Sequence, residues 1–220
     1  MIATIKQSEE SGSSDWLFSR IKEELYNKGY SIQYNAVPGT LCDSLFMHLQ
    51  RMPDSQFVSA GIGRSQDFNV NEFVRRDQIC WITGNSAPGA AWLKWCQELL
   101  QFLNRNLFLG LFTFESHFAH YAPGAFYKKH LDAFRGQSNR KLSLVLYLNP
   151  GWMPDDGGEL LLYTNDEKDV IRVTPVFGTL VTFLTEDFPH EVLPARRDRY
   201  SIAGWYSINS STEQRVDPAA

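Results

Sequence analysis

Residues 121–132 read Tyr-Ala-Pro-Gly-Ala-Phe-Tyr-Lys-Lys-His-Leu-Asp, and the rest of the chain can be interpreted outward from them. Pro123 and Gly124 predict a turn, and the residues after them predict a β-strand. Side chains on a strand alternate between its two faces, so His130 and Asp132 are expected on the same face. An imidazole and a carboxylate held side by side are two of the three ligands of a 2-His-1-carboxylate metal site.

The third ligand has to come from elsewhere, and His190 is the candidate because it lies in a later predicted strand that a barrel would bring across from His130. Such a triad leaves metal positions open and is typical of non-haem Fe(II) oxygenases. Arg199, nine residues further on, is a fixed cation suited to bind a carboxylate at two points. A buried arginine needs an anionic partner, which the far carboxylate of 2-oxoglutarate would supply, and Tyr147 could add a hydroxyl from a neighbouring strand.

Zinc is the competing metal. Structural zinc sites usually use cysteine, and Cys42, Cys80 and Cys96 all lie well before these residues in the sequence. Gly157, Gly158 and Glu159 are interpreted as part of a turn rather than as a site. Of the remaining histidines, His48 is expected on the surface of a helix, and His117 and His120 are expected to be core or wall residues.

Composition limits the classes of partner. The chain has 220 residues, of which 43% are hydrophobic and 14% aromatic, enough for a substantial core that favours sheets. A net charge of -4 gives no basic surface for nucleic acid, and no apolar stretch is long enough for a membrane span. The three cysteines form no CxxC motif and no leader-like run opens the sequence, so a cytoplasmic location is expected.

The hydrophobic pattern predicts helices in the first half and strands in the second. We expect a flexible N-terminus at 1–14, a single domain at 15–210 and a flexible C-terminus at 211–220. Within the domain, helical support occupies 15–105 and a β core about 106–208, which makes the fold mainly β (α+β) with a barrel or sandwich. The predicted helices are 15–28, 38–52 and 90–104. The predicted strands are 56–62, 107–121, 141–149, 159–163, 170–173, 179–184, 191–193 and 200–208.

Five motifs, in this order, give the chain a resemblance to a known family. They are Tyr-x-Pro-Gly-x-x-Tyr-x-x-His-x-Asp at 121–132, Tyr-Leu-Asn-Pro at 147–150, Gly-Gly-Glu-Leu at 157–160, Pro-His-Glu-Val at 189–192 and Arg-Tyr-Ser-Ile-x-x-Trp at 199–205. They resemble the Fe(II)/2-oxoglutarate-dependent prolyl hydroxylases, closest to the animal oxygen-sensing enzymes and their bacterial relatives. The resemblance covers about residues 75–208. It implies a double-stranded β-helix (a jelly-roll, cupin-like core) with supporting helices packed on one sheet.

The resemblance also implies roles for individual residues. His130, Asp132 and His190 would bind the iron, and Arg199 would hold the far carboxylate of 2-oxoglutarate with Tyr147 beside it. Two further aromatic residues are assigned by the same resemblance. Tyr121 would line the cosubstrate pocket, and Tyr127 would lie near the iron.

Substrate contacts are implied at the mouth of the site. The segment 75–84, which contains Trp81, resembles the family's mobile loop at the substrate entrance, and residues 63–90 would close over a peptide. Arg140 resembles a family arginine that pairs with an acid of that loop, for which Asp77 is the candidate. Ala203 departs from the family, because the animal relatives carry a hydroxyl residue at this position.

The implied activity is hydroxylation of a prolyl residue in a flexible loop of a protein, coupled to conversion of 2-oxoglutarate to succinate and CO2. Fe(II), 2-oxoglutarate and O2 would be required, with ascorbate as a further cofactor. Bacterial relatives suggest a translation GTPase such as elongation factor Tu as the substrate, and the protein is expected to be a monomer. Three alternatives remain at this stage: the same chemistry on a free amino acid or small molecule, a non-enzymatic metal- or partner-binding barrel, and, disfavoured by the acidic charge, a nucleic-acid demethylase.

Overall fold

The structure, a computed structural model, describes residues 2–61, 73–132, 139–164 and 169–209, with side chains from residue 15 onward. The expected flexible C-terminus and most of the first half of the 63–90 loop therefore lie outside the described residues. Within these ranges the helices are α1 Ile2–Lys28, α2 Gly39–Arg51 and α3 Ala87–Leu107. The strands are β1 Tyr30–Gln33, β2 Val58–Ser59, β3 Gln78–Trp81, β4 Leu111–Tyr121, β5 Tyr127–His130, β6 Arg140–Tyr147, β7 Leu160–Tyr163, β8 Val170–Val173, β9 Leu180–Leu184, β10 His190–Val192 and β11 Arg199–Ile208.

The strands form two antiparallel sheets that face each other. The major sheet has seven strands in the order β1-β9-β6-β11-β4-β3-β2, and the minor sheet has four in the order β5-β10-β7-β8. One buried cluster joins residues of both sheets, such as Tyr147 with Leu162, and a second joins the outer face of the major sheet to the helices. The expected double-stranded β-helix with helices packed on one sheet is therefore confirmed.

Alternation along β6 separates the two cores. Leu142, Leu144 and Leu146 pack toward the helices, while Val145 and Tyr147 belong to the cluster between the sheets. Because the side-chain period of a strand is two, the sequence pattern determines which residues of β6 line the interior. The same rule makes Ser143 and Tyr147 interior residues of the barrel.

Several helix and strand boundaries differ from the predictions. β4 begins at Leu111 rather than at 107, because α3 extends to Leu107. α1 begins at Ile2 rather than at Asp15, since the polar segment before Asp15 contains no proline that would end a helix. α3 begins before the predicted position 90, because Pro88 occupies its first turn, where proline is tolerated, and the Ser86 hydroxyl accepts a hydrogen bond from the Gly89 amide at 3.1 Å. The predicted strand 56–62 is reduced to the two residues of β2 after a short 3₁₀ turn.

Candidate active site

His130, Asp132 and His190 meet inside the barrel at the edge of the minor sheet. His130 and His190 are directly opposite each other across the β5–β10 pair, and the ligand atoms of all three residues lie within 4.8 Å of one another. Asp132 Oδ1 is 3.4 Å from His130 Nε2, and Asp132 Oδ2 is 3.5 Å from His190 Nε2. β5 ends at His130, so Asp132 lies past the strand rather than on it, but the turn of the chain still brings the carboxylate to the imidazoles.

Both imidazoles are fixed by backbone carbonyls two residues earlier in the chain. His130 Nδ1 is 2.7 Å from the Lys128 oxygen, and His190 Nδ1 is 3.0 Å from the Phe188 oxygen. A carbonyl only accepts, so each Nδ1 carries the proton and each Nε2 presents a lone pair toward Asp132. This is the tautomer that a metal-binding histidine requires.

The Asp132 carboxylate is oriented from the major sheet. Its Oδ2 accepts hydrogen bonds from the Ser143 hydroxyl at 3.0 Å and from the Trp205 indole N–H at 2.8 Å. Burial acts to raise the pKa of Asp132, but His190, His130 and the Trp205 hydrogen bond outweigh it and hold the pKa well below its usual range. The carboxylate is therefore ionised and ready to bind a cation.

His190 is kept neutral by its surroundings. The residue is only 6% exposed, and burial, with a smaller contribution from His130, lowers the pKa of its imidazole to about 4 although Asp132 opposes the shift. A neutral imidazole is the form that ligates a metal. Two imidazole nitrogens and one carboxylate, with no cysteine in the cluster, are the donor set of a non-haem Fe(II) centre rather than of a structural zinc site.

Arg199 lies at the other end of the barrel interior and is 1% exposed. Its Nε donates to the Gly158 carbonyl at 2.8 Å, and its Nη1 donates to the Ser201 hydroxyl at 3.4 Å. The guanidinium carbon is 5.0 Å from the centres of both the Tyr121 and the Tyr147 rings. The protein therefore fixes this cation between two aromatic rings without providing a carboxylate for it in the residues that the structure describes.

Two polar atoms of this end have no hydrogen-bond partner in the described part of the chain. Arg199 Nη2 and the Tyr147 hydroxyl are both fully buried and unpaired. Burial raises the pKa of the Tyr147 hydroxyl to about 12, with Arg199 acting in the opposite direction, so the phenol keeps its proton as a donor. A buried cation beside an unpaired donor fits the far carboxylate of 2-oxoglutarate, which would accept from both. β6 and β11 are adjacent strands, as the sequence predicted for these two residues.

The ion pairs formed by Asp77 and Arg140 differ from the predicted pair. Asp77 is bound by Arg75 through two hydrogen bonds of 2.7 and 2.6 Å, whereas Arg140 binds Glu115 at 2.7 Å. The predicted pairing of Arg140 with Asp77 is therefore not found. Arg75 is two residues from Asp77 and reaches it bidentately, while Arg140 lies against the Trp205 ring, 3.7 Å from its centre, and meets the Glu115 side chain there.

Arg75 also connects Asp77 to the candidate metal ligands through the Tyr127 ring. Its guanidinium lies 4.3 Å from the centre of the Tyr127 ring, and that ring stacks on His130 at 3.4 Å with an interplanar angle of 14°. The backbone of residues 74–76 pairs with β5, because the Arg76 amide donates to the Phe126 carbonyl and the Lys128 amide donates to the Val74 carbonyl. Tyr127 therefore lies beside the metal site, as the resemblance implied.

Trp81 lies half-exposed on β3, with 48% of its surface accessible. Its ring meets His117 edge to face at 5.2 Å, and His117 in turn lies 5.4 Å from Trp205, which holds Asp132. Burial lowers the pKa of His117 to about 4, so this histidine is a neutral wall residue. The row leads from the protein surface to the metal ligands.

Sequence reasoning missed three residues that shape the site. Ser143 and Trp205 hold Asp132, and Arg75 replaces Arg140 as the partner of Asp77. The available signal was the strand alternation, because Ser143 and Trp205 are hydrogen-bond donors at interior positions of β6 and β11. For Arg75 the sequence offered only proximity to Asp77.

The sequence profile of the 2OG-Fe(II) oxygenase superfamily matches residues 116–207, which include the three candidate metal ligands and Arg199. Among curated proteins, the mouse protein named Egl nine homolog 1 is 28% identical over 165 residues, covering 71% of this chain and 39% of the relative. The chain thus spans well under two thirds of that relative's length.

Two solved structures resemble the whole fold. A Pseudomonas putida prolyl-4-hydroxylase superposes with a TM-score of 0.79 at 39% identity, covering 88% of this chain and 100% of that one. A Trichoplax adhaerens prolyl hydroxylase in complex with a hypoxia inducible factor oxygen degradation domain peptide fragment superposes with a TM-score of 0.77 at 26% identity, covering 90% of this chain and 92% of that one.

Proposed function

This chain belongs to the 2-oxoglutarate- and Fe(II)-dependent oxygenases, among the prolyl hydroxylases, and from that premise we propose that it hydroxylates a prolyl residue in a protein. The observation that carries the proposal is the alignment of two complementary groups in one barrel interior. His130, Asp132 and His190 offer three metal ligands on one side, and Arg199 with Tyr147 offers unpaired donors for a carboxylate on the other.

Fe(II) and 2-oxoglutarate, when bound, supply the oxidation of a C–H bond by O2, with release of succinate and CO2. The chain's own part is to bind, orient and keep water away. His130 and His190 present Nε2 because their Nδ1 protons are held by carbonyls. Asp132 presents a carboxylate whose low pKa keeps it ionised. Arg199 neutralises the far carboxylate in a pocket from which water is excluded, where such an ion pair is strongest.

A protein substrate is supported by the relatives. The Trichoplax hydroxylase was solved with a peptide fragment of the hypoxia inducible factor, so a chain of this fold accepts a peptide. In the present chain, Trp81 is exposed on β3 and Arg140 begins β6, while Asp77 lies just before β3 and is buried against Arg75. We propose that Trp81 and Arg140 contact the substrate, with Asp77 acting through Arg75. The expected closure of segment 63–90 over the substrate falls partly on residues outside the described ranges.

A translation GTPase such as elongation factor Tu is the substrate that we propose within this class. The support for this substrate is the resemblance of the sequence motifs to the bacterial members of the family; the 39% identity to a bacterial prolyl-4-hydroxylase over its full length supports only the prolyl chemistry. A cytoplasmic location is proposed with it, supported by Cys42, Cys80 and Cys96, all of which are free thiols. No helix in the described ranges is both long and apolar enough to cross a membrane.

The test is turnover in a defined order of addition. Metal-free protein receives Fe(II) and 2-oxoglutarate without oxygen, and a weak visible charge-transfer band is expected from the loaded site. Exposure to air should then yield succinate, faster when a protein such as elongation factor Tu is present than with free proline or no substrate. Mass spectrometry should locate an added oxygen atom on a proline of that protein. The same series with and without ascorbate tests its role as the reductant that maintains Fe(II).

Folded protein that gives neither the band nor succinate would contradict the oxygenase assignment. If free proline increases succinate formation and none of the tested proteins does, the substrate is instead a small molecule. Zinc is tested in parallel, since a zinc-loaded site would give neither the band nor turnover.

A further inference from the structure

A third buried polar atom without a partner within the described ranges belongs to Thr179, whose backbone pairs with that of Tyr147. The Thr179 hydroxyl is fully buried and, like Arg199 Nη2 and the Tyr147 hydroxyl, has no hydrogen-bond partner among the residues that the structure describes. Native proteins rarely leave a buried hydroxyl without a partner, because its desolvation is then uncompensated. The motifs and the family resemblance do not point to Thr179.

Strand register brings Thr179 to the pocket. The Tyr147 amide donates to the Thr179 carbonyl at 3.0 Å, and the Gly178 amide donates to the Tyr147 carbonyl at 2.9 Å. With a φ of +76° at Gly178, this is a bulge in which glycine takes the left-handed position and Thr179 stays opposite Tyr147. Tyr147 is paired on its other side with Ser201, so the three residues form one row across the major sheet.

Thr179 shares the interior face of the sheet. It precedes β9, in which Val181 and Phe183 belong to the cluster between the two sheets while Leu180 packs toward the helices. By alternation Thr179 falls on the side of Val181, the side that Tyr147 also occupies. Residues directly opposite each other in antiparallel strands have Cβ atoms about 4.5–5.5 Å apart, so the Thr179 and Tyr147 side chains are neighbours in the barrel.

We propose that the Thr179 hydroxyl donates a third hydrogen bond to the far carboxylate of 2-oxoglutarate, beside Arg199 and Tyr147. The proposal rests on the proposed function, because it names a binding residue for the same cosubstrate. A carboxylate has two oxygens with about four acceptor sites. Arg199 already uses its Nε–H on Gly158 and one Nη1–H on Ser201. The unpaired Nη2, the phenol and this hydroxyl are therefore donors available to the ligand.

The experiment compares Thr179→Val with Thr182→Val. Valine replaces a hydroxyl by a methyl group at constant shape. Thr182 is a matched control, since its hydroxyl is also fully buried and unpaired in the described chain, but it alternates with the interior residues and so falls on the helix-facing side of β9. Each variant is loaded with Fe(II) without oxygen, and the dissociation constant of 2-oxoglutarate is measured by titration calorimetry and by the charge-transfer band.

Thr179→Val should weaken 2-oxoglutarate binding about tenfold, the effect of one lost hydrogen bond to a charged group. Thr182→Val should bind it as the wild type does, and Thr179→Ser should restore most of the affinity. Without 2-oxoglutarate, Thr179→Val should unfold at the wild-type temperature or higher because it removes an unpaired hydroxyl. Its thermal stabilisation by added 2-oxoglutarate should be smaller than that of the wild type.

Equal affinity in Thr179→Val and the wild type would overturn the assignment of Thr179 and leave the proposed function intact. An equal loss in Thr182→Val would also overturn it, because the effect would then come from the packing of β9. A wild-type protein that binds Fe(II) but no 2-oxoglutarate would overturn the proposed function and this inference together.

Discussion

The two ends of the barrel interior differ in how their buried polar groups are hydrogen-bonded. At the metal end, both imidazole Nδ1 atoms and the Asp132 carboxylate are already held by carbonyls, a hydroxyl and an indole. At the arginine end, Arg199 Nη2 and the Tyr147 hydroxyl have no partner in the described chain. The metal end is pre-oriented by the protein, whereas the arginine end is completed only by a ligand.

This difference has a physical reason. A metal ion binds the lone pairs that face it. Its protein ligands must therefore be oriented before the metal binds, which requires hydrogen bonds to their non-ligating nitrogen and oxygen atoms. A carboxylate cosubstrate brings its own acceptors, so the protein can leave donors unpaired and recover their desolvation cost on binding. Substitutions at the metal end should therefore change metal affinity first, and substitutions at the arginine end should change only 2-oxoglutarate affinity.

The largest effect is expected from Asp132→Ala. It removes the only anionic ligand of the triad and leaves two neutral imidazoles, so we expect Fe(II) binding and succinate formation to be lost. The measurement is Fe(II) titration followed by a turnover assay, with circular dichroism to verify the fold. Full turnover in this variant, or in His130→Ala, would show that the ligand assignment is wrong.

Arg199→Gln tests whether the affinity for 2-oxoglutarate and the affinity for Fe(II) are independent. The carboxylate of 2-oxoglutarate would lose its buried counter-charge, which weakens binding between about 100- and 1000-fold, while Fe(II) affinity should stay at the wild-type value. Arg197→Gln is the matched control, because Arg197 is exposed and lies near Asp156 at 3.5 Å. A parallel loss of Fe(II) affinity in Arg199→Gln would mean that the ends are not independent.

Trp205→Phe tests the orientation of Asp132. It removes the indole N–H that lies 2.8 Å from Asp132 Oδ2, and loss of such a partner typically weakens metal binding between about 10- and 100-fold. Trp95→Phe is a suitable comparison, since its buried indole N–H makes no hydrogen bond within the described ranges. If both variants bind Fe(II) as tightly as the wild type, Ser143 alone suffices to orient the carboxylate.

Gly158→Ala should have the smallest effect and act only at the arginine end. An alanine Cβ would lie 3.1 Å from Arg199 Cδ and 2.9 Å from the Ala195 Cβ, and the φ of +71° strains any side chain. We expect 2-oxoglutarate affinity to fall by up to about tenfold as the guanidinium shifts. Gly151→Ala has a comparable φ of +61° with open space around the Cβ, so it reports backbone strain alone and should keep the affinity.

The sequence predicts those features that depend on strand periodicity or on short motifs. Alternation along β6 placed Leu142 and Leu144 toward the helices and Tyr147 in the interior. The family resemblance predicts His130, Asp132 and His190 as metal ligands, and the structure brings their ligand atoms within 4.8 Å of one another. These predictions succeed because strand period and motif chemistry are properties of short segments.

The sequence was insufficient wherever a contact depends on which distant segments meet. Trp205 and Asp132 are 73 residues apart, and no local pattern joins them. The predicted partner of Asp77 was wrong. Both arginines carry the same charge, and the fold brings Arg75 rather than Arg140 within reach of Asp77. No sequence pattern indicates Thr179, because its position depends on the bulge at Gly178, which is defined by pairing with Tyr147.

The direct opposition of His130 and His190 across β5 and β10 has a consequence for the life of the protein. β5 is the outermost named strand of the minor sheet, with residues 74–76 paired along part of its outer edge, and a slip of one residue would turn His130 to the other face. Only chains whose minor sheet has assembled in the native register can then acquire iron. The iron bound per molecule should therefore fall in a preparation that contains chains with a slipped β5.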